Sequence, residues 1–232
     1  MKVPENLQDF AFWFNPTNLG SFRKIELLRM SYKLVKSKVP MLPPNTLTKI
    51  SKNLDDSPES MGTFALRLYF FQLIASKNFS LDLRQGQFSF DEGWVFHGNR
   101  FAFAFSDTIQ TALINTYKSY YEYGGKDLGV HLEQMKLIDS TWDPAIKKEL
   151  EHIFIQHFKG ADGQAQYFKV QELADSFKNV FMFIKKQGAI VPSEFSMLGI
   201  YLTSLYMTLE SIGSPFDVKA AYLHAKEVSQ EL

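Results

Sequence analysis

Apolar residues recur with a helical period along most of the chain, and this pattern predicts a mainly α-helical protein. One run follows Ser21, which can serve as an N-cap, and continues at Ile25, Leu28, Tyr32 and Val35. Two more helices are predicted next: the first covers residues 46–54, and the second starts at Pro58. In the latter, apolar residues surround most of the axis: Phe64, Leu66, Leu68, Phe70, Phe71, Leu73 and Ile74. A helix that is apolar on nearly all sides is usually central and buried.

Local start and stop signals delimit five further predicted helices. Asp143-Pro144 is a strong start, because aspartate is a good N-cap and proline suits the first helical position. Glycines end helices because they adopt the left-handed conformation without strain. The remaining boundaries are predicted at Gly124-Gly125, Gly188, Pro192, Gly213 and Asp217.

Between residues 87 and 105 the apolar period changes from 3.6 to 2, which is typical of strands. Asp91-Glu92-Gly93 and residues 97–100 supply turn-forming side chains between the alternating runs. The alternating aromatic residues are Phe88, Phe90, Trp94, Phe96, Phe101, Phe103 and Phe105. We therefore predict one small antiparallel β meander of three short strands around residues 87–105.

These elements together predict a mainly α (α+β) fold. No repeat, low-complexity tract or clear linker divides the 232 residues. We predict an N-terminal helical extension over residues 1–57 and a helical domain over residues 58–232, packed as one compact unit.

Charge and composition narrow the class of protein. Lys+Arg and Asp+Glu both number 25, so the cation excess of a dedicated nucleic-acid binder is missing. There is no cysteine, which excludes disulfides, thiolate catalysis and cysteine-ligated metals. The first residues contain no apolar signal region, and the 15 uncharged residues 195–209 are too short for a bilayer span. We expect a cytoplasmic protein with no nucleic-acid partner and no transmembrane segment.

Motifs for metal or nucleotide chemistry are absent from the sequence. His152 and His157 are five residues apart, which places them about 140° apart around a helix rather than on one face. The other histidines, at positions 97, 131 and 224, have no partner in a metal-ligand pattern. No P-loop, G-x-G-x-x-G or G-x-S-x-G motif is present. We therefore expect no metal and no cofactor.

Aromatic residues are unusually frequent, with 22 Phe and 10 Tyr. Core packing is the favoured explanation, because each ring buries a large apolar area. Two alternatives remain open: the rings could line a pocket for an apolar small molecule, and residues 195–209 could make a peripheral membrane contact. For residues 195–209, burial against the helix predicted at 166–186 is favoured.

Residues 79–87 follow the predicted central helix and read Phe-Ser-Leu-Asp-Leu-Arg-Gln-Gly-Gln. This segment resembles the F-H-x-D-x-H-P-G-N motif in the C-terminal lobe of UbiB-type (aarF-domain) atypical kinases. It keeps Phe79, Asp82 and Gly86. The segment from Gly188 to Asp217 resembles the closing helix and turn of that family. The resemblance covers about two thirds of the chain and implies a kinase-C-lobe-like helical domain.

The same alignment implies that kinase chemistry has been lost. Ala104 stands where the family has the metal-binding aspartate of its D-F-G motif, and Gln87 replaces the motif's asparagine. No K-x-G-Q motif precedes the lobe, and no room remains for a nucleotide-binding N-lobe. Because phosphoryl transfer depends on positioned Mg²⁺ and phosphate, Asp82 in the catalytic-base position would have no bound donor beside it. A solvated loop carboxylate is an equally good interpretation of Asp82.

Three functional hypotheses follow. The first is a non-catalytic, pseudokinase-like binding or scaffolding protein with a protein partner, which the resemblance links to lipid or isoprenoid-quinone metabolism. The second is an unrelated α-helical small-molecule-binding protein or enzyme with an aromatic-lined apolar pocket. The third is a phosphotransferase that uses Asp82, Gln87 and Asp107 unconventionally.

Overall fold

The computed structural model describes residues 42–98, 102–156, 158 and 162–231. Its helices are α1 (Pro44–Ile50), α2 (Pro58–Ala75), α3 (Asp107–Tyr123), α4 (Leu128–Gln134), α5 (Pro144–Ile155), α6 (Val170–Lys186), α7 (Ser193–Ile212) and α8 (Val218–Gln230). Its strands are β1 (Phe79–Ser80), β2 (Phe88–Phe90), β3 (Trp94–Phe96) and β4 (Ala102–Phe103). The fold is mainly α with a small amount of β structure. The helix predicted after Ser21 lies outside the described residues.

Helix ends form where the sequence places capping residues. The Ser57 hydroxyl accepts a hydrogen bond from the Ser60 amide at 3.2 Å at the start of α2. Asp143 caps α5 and Asp217 caps α8 in the same way. Gly124 ends α3 with φ 64°, a left-handed conformation that glycine adopts without strain. These predicted boundaries are confirmed, whereas the short helix α4 was not predicted.

Helices α2 and α7 form the centre of the molecule. Helix α2 is buried around most of its axis, as predicted, and packs against α8, α7, α1 and α3. Helix α7 is buried from Phe195 to Leu209 with few breaks, and it packs against both α2 and α6. Core packing therefore accounts for the uncharged segment 195–209. Within the described residues, no helix is long and apolar enough to cross a membrane.

The β structure differs from the predicted three-stranded meander. Strands β2 and β3 form an antiparallel hairpin in which Phe88 pairs with Phe96 and Phe90 with Trp94. The third predicted strand, β4, does not join this hairpin but pairs antiparallel with β1. The reason is long-range packing: Phe79 and Phe105 stack edge to face at 4.9 Å, and Phe79 also contacts Tyr201 of α7.

Helix α1 packs against the last helix, α8. Its Lys49 forms a salt bridge at 3.0 Å with Glu231, the residue directly after α8. Helix α1 also lies beside β3. The boundary predicted between residues 57 and 58 stays a prediction.

Candidate functional site

Asp82 does not lie free in a cleft. Its side chain is 5% exposed, and its two carboxylate oxygens are held by the Arg84 guanidinium, with Nε–Oδ1 at 2.8 Å and Nη2–Oδ2 at 3.0 Å. The Arg84 amide also donates to Oδ1 at 3.3 Å. The interpretation of Asp82 as a solvated loop carboxylate is therefore wrong, because burial beside Arg84 removes it from water. The carboxylate is thus bound by neighbouring protein groups instead of being presented to a substrate.

The backbone around Asp82 is tied to α7 by two hydroxyl side chains. Ser204 Oγ accepts from the Leu83 amide at 3.0 Å and donates to the Leu81 carbonyl at 2.7 Å. Thr208 Oγ1 donates to the Leu83 carbonyl at 2.8 Å. All of these groups are buried, so the segment 81–83 acts as a fixed structural strut between β1 and the 3-10 helix Gln85–Gln87.

The other two predicted motif positions have local roles. Gln87 is half-buried at the end of the 3-10 helix, and its carbonyl accepts from the His97 amide at 2.8 Å. Ala104 is exposed directly after β4 and offers no metal ligand. Asp107 is exposed at the start of α3 and pairs with Lys77 at 3.4 Å. Among the described residues, no group of three or more His, Asp or Glu side chains is placed to hold a metal ion.

A groove of about 600 Å³ lies between α1 and the β2–β3 hairpin. Leu47, Thr48 and Ser51 line it on the α1 side. On the hairpin side the lining is continuous over residues 91–98. Ligand sites in proteins usually have volumes of roughly 300–1,000 Å³, so the groove has the size of a binding site.

The groove follows the outer edge of β3. No residue of β2 lines it, although every residue of β3 does. Two main-chain hydrogen bonds fix the pattern of the ladder: the Asp91 amide donates to the Gly93 carbonyl, and the His97 amide donates to the Gln87 carbonyl. Hydrogen-bonded and non-hydrogen-bonded pairs alternate along an antiparallel ladder, so Trp94 and Phe96 lie at non-hydrogen-bonded positions. Their backbone N–H and C=O groups therefore point away from β2, and they have no backbone partner among the described residues outside the hairpin.

The charged residues that line the groove are acidic. Asp91 and Glu92 lie in the hairpin turn, where Glu92 has φ 55°, and the lining contains no Lys or Arg. Neither carboxylate forms a salt bridge with a described residue. His97 faces the groove and bonds Ser89 through Nε2 at 2.7 Å. The groove therefore combines an apolar floor with a negatively charged end.

The abundant aromatic residues pack mainly in the core. Tyr69 and Tyr117 share a hydrogen bond of 2.6 Å between their hydroxyls, and Tyr201 donates to the Tyr69 carbonyl at 3.3 Å. Burial raises the pKa of Tyr69 well above its ordinary value and raises the pKa of Tyr117 to about 12. The cavity beside these tyrosines has a volume of about 40 Å³, which suits water better than an organic ligand.

No protein-family model matches the chain, and no curated protein is significantly similar to it. The resemblance to the UbiB-type kinases therefore stays a prediction. The sequence-based reasoning located Asp82, Gln87 and Ala104 but missed the groove. The acidic turn 91–93 within an aromatic hairpin was the one signal of the groove in the sequence. The other wall of the groove comes from α1, more than forty residues before β3, and no local pattern indicates that the two elements meet.

Proposed function

We propose that the protein is a non-catalytic binding protein that holds a segment of a protein partner in the groove between α1 and β3. One observation carries the proposal: a groove of about 600 Å³ runs along a strand edge whose backbone groups have no partner among the described residues outside the hairpin. Strand edges with unpaired main-chain groups are recurrent sites of peptide recognition, because the edge supplies main-chain hydrogen bonds and the neighbouring surface supplies side-chain contacts.

The surroundings of Asp82 support the non-catalytic part of this proposal. Its carboxylate is neutralised by Arg84, and Ala104 provides no oxygen for Mg²⁺. Descent from an atypical-kinase lobe, and with it a link to lipid or isoprenoid-quinone metabolism, is a prediction that depends on the sequence resemblance alone. The proposed binding activity does not depend on that ancestry.

The aromatic core does not supply the pocket that the small-molecule hypothesis needs. The cavity beside the core tyrosines has a volume of about 40 Å³, well below the roughly 300 Å³ of a small ligand site. The groove is larger, and it lies along a strand edge whose main-chain groups, without a partner among the described residues outside the hairpin, favour an extended chain over a compact molecule.

The proposal can be tested by selecting peptides against the full-length protein. A library of random octapeptides displayed on phage is selected for binding to the wild type and counter-selected against Thr48→Trp. Thr48 is exposed and lines the groove, so the indole would obstruct part of the groove without disturbing the core. Thr111→Trp is the matched control, because Thr111 is an exposed helical threonine that does not line the groove.

We expect enriched peptides that bind the wild type and Thr111→Trp but not Thr48→Trp. Failure to enrich any such peptide would refute the proposed site.

Native mass spectrometry with ATP and Mg²⁺ tests the non-catalytic part of the proposal. A Mg²⁺-dependent ATP adduct that disappears in Asp82→Ala would show that the protein is not a non-catalytic binder.

A further inference from the structure

The charges of the groove are all of one sign. Asp91 and Glu92 are the only Asp, Glu, Lys or Arg residues among its described lining, and both carboxylates lack a salt-bridge partner there. They lie side by side in the turn, at one end of β3. Two adjacent unpaired carboxylates repel an anionic ligand and attract a cationic one.

The backbone edge of β3 fixes how an occupant would lie. Trp94 and Phe96 each present one N–H and one C=O toward the groove. A chain that accepts and donates these bonds must be extended and lie about 4.8 Å from β3. Its side chains opposite Trp94 and Phe96 would share the face of those rings. On that face the Trp94 ring packs against Phe64 in the core, and the Phe96 ring packs against Phe88.

Building on the proposed function, we infer that the occupant is an extended segment of another protein that adds to β3 as a third strand. Apolar side chains of this segment alternate with polar ones, and at least one Lys or Arg lies beside Asp91 and Glu92. Charge complementarity selects this partner: an anionic membrane surface or a nucleic acid would bring phosphates against two carboxylates.

Blocked synthetic octapeptides separate the two features of this inference. The first alternates valine with lysine, the second alternates valine with glutamate, and the third alternates valine with serine. Two N-methylated forms of the lysine peptide complete the set. In one form, methyl groups replace the amide hydrogens on the edge that would face β3. In the other, they replace the hydrogens on the opposite edge.

Affinities are measured by isothermal titration calorimetry with the full-length protein at about 50 mM and about 500 mM salt. We expect the lysine peptide to bind at least about tenfold more tightly than the glutamate peptide at low salt, with a smaller difference at high salt. The double variant Asp91→Asn/Glu92→Gln should remove most of this difference. The control Glu149→Gln/Glu227→Gln removes the same charge from exposed positions outside the groove and should leave the difference unchanged.

N-methylation tests the strand addition independently of charge. We expect binding to weaken about tenfold or more when one edge of the peptide is methylated and to persist when the other edge is methylated. Equal affinities for the lysine and glutamate peptides, or equal effects of the two methylation patterns, would overturn the inference. If phage-selected peptides still discriminate between the wild type and Thr48→Trp in that case, the groove remains a peptide site and only its proposed partner is wrong.

Discussion

Replacing Ser204 by alanine should destabilise the protein far more than the loss of one hydroxyl on a helix normally does. Ser204 Oγ serves two main-chain groups from a distant segment, the Leu83 amide and the Leu81 carbonyl. Ser204 is fully buried, and both leucines are buried as well. Alanine leaves both groups without this partner and without access to water.

The magnitude follows from the number of orphaned groups. A buried donor or acceptor that loses its partner costs about 1–3 kcal/mol, so two of them predict a loss of about 2–6 kcal/mol in the free energy of unfolding. Thr208→Val is nearly isosteric and orphans only the Leu83 carbonyl, so we expect a loss of about 1–2 kcal/mol.

Thr203→Val provides the matched control on the same helix. Thr203 is equally buried, but its hydroxyl bonds only the Gly199 carbonyl, which is one turn earlier in α7. That carbonyl lies within the helix and keeps its main-chain partner, so we expect the cost to stay below about 1 kcal/mol.

Urea unfolding followed by far-ultraviolet circular dichroism measures the three stabilities, and hydrogen exchange reports on the strut itself. In Ser204→Ala, the Leu83 amide should exchange much faster than in the wild type, whereas in Thr203→Val it should not. If Ser204→Ala costs no more than Thr203→Val, or if the Leu83 amide stays protected, the segment 81–83 is not held by these hydroxyls.

Two further predictions concern charge. Arg84→Met should lower the free energy of unfolding in urea by about 3 kcal/mol, because it leaves the buried Asp82 carboxylate without its ion-pair partner. Lys77→Met, which breaks the exposed pair with Asp107, should cost under about 1 kcal/mol. Equal losses would contradict the interpretation of Asp82–Arg84 as a buried ion pair. The core tyrosines predict alkaline unfolding. Because the folded-state pKa of Tyr117 is raised from 10.0 to about 12, its contribution to stability is fully present below pH 10 and is lost as the pH rises toward 12. Tyrosinate absorbance should show the core tyrosines ionising together with unfolding, and gradual ionisation in the folded state would show that they are accessible.

The helix boundaries could be predicted because their causes are local. Ser57, Asp143 and Asp217 each cap a helix through a hydrogen bond to an amide two or three residues ahead. Gly124 ends α3 through its own left-handed backbone. Such signals lie within one helical turn, so a single sequence contains all the information that they need.

The partner of β4 could not be predicted in the same way. Alternation of aromatic residues identified residues 101–105 as strand-like, but it did not say which strand they would meet. β1 is only two residues long and shows no period of its own. Its pairing with β4 depends on burying Phe79 against Phe105 and Tyr201, and Tyr201 comes more than a hundred residues later.

The environment of Asp82 could be predicted only in part from the sequence. Side chains two residues apart project to the same side of an extended chain, so Asp82 and Arg84 could have been expected to pair. The burial of that pair could not be foreseen, because it is imposed by Ser204 and Thr208 on α7. A motif position that resembles a catalytic base thus became part of a structural strut.

The short length of β3 limits what its backbone can contribute to binding. Trp94 and Phe96 offer about four hydrogen-bonding groups, each worth about 1 kcal/mol net, whereas association costs about 4–15 kcal/mol in lost freedom. Main-chain pairing alone therefore cannot hold a partner. The apolar floor at Leu47 and the carboxylates of Asp91 and Glu92 must supply the remainder, so partner choice should follow side-chain chemistry more than β-propensity. A peptide that has strong β-propensity but lacks cations should therefore bind poorly, which is why the serine peptide is the most informative neutral control.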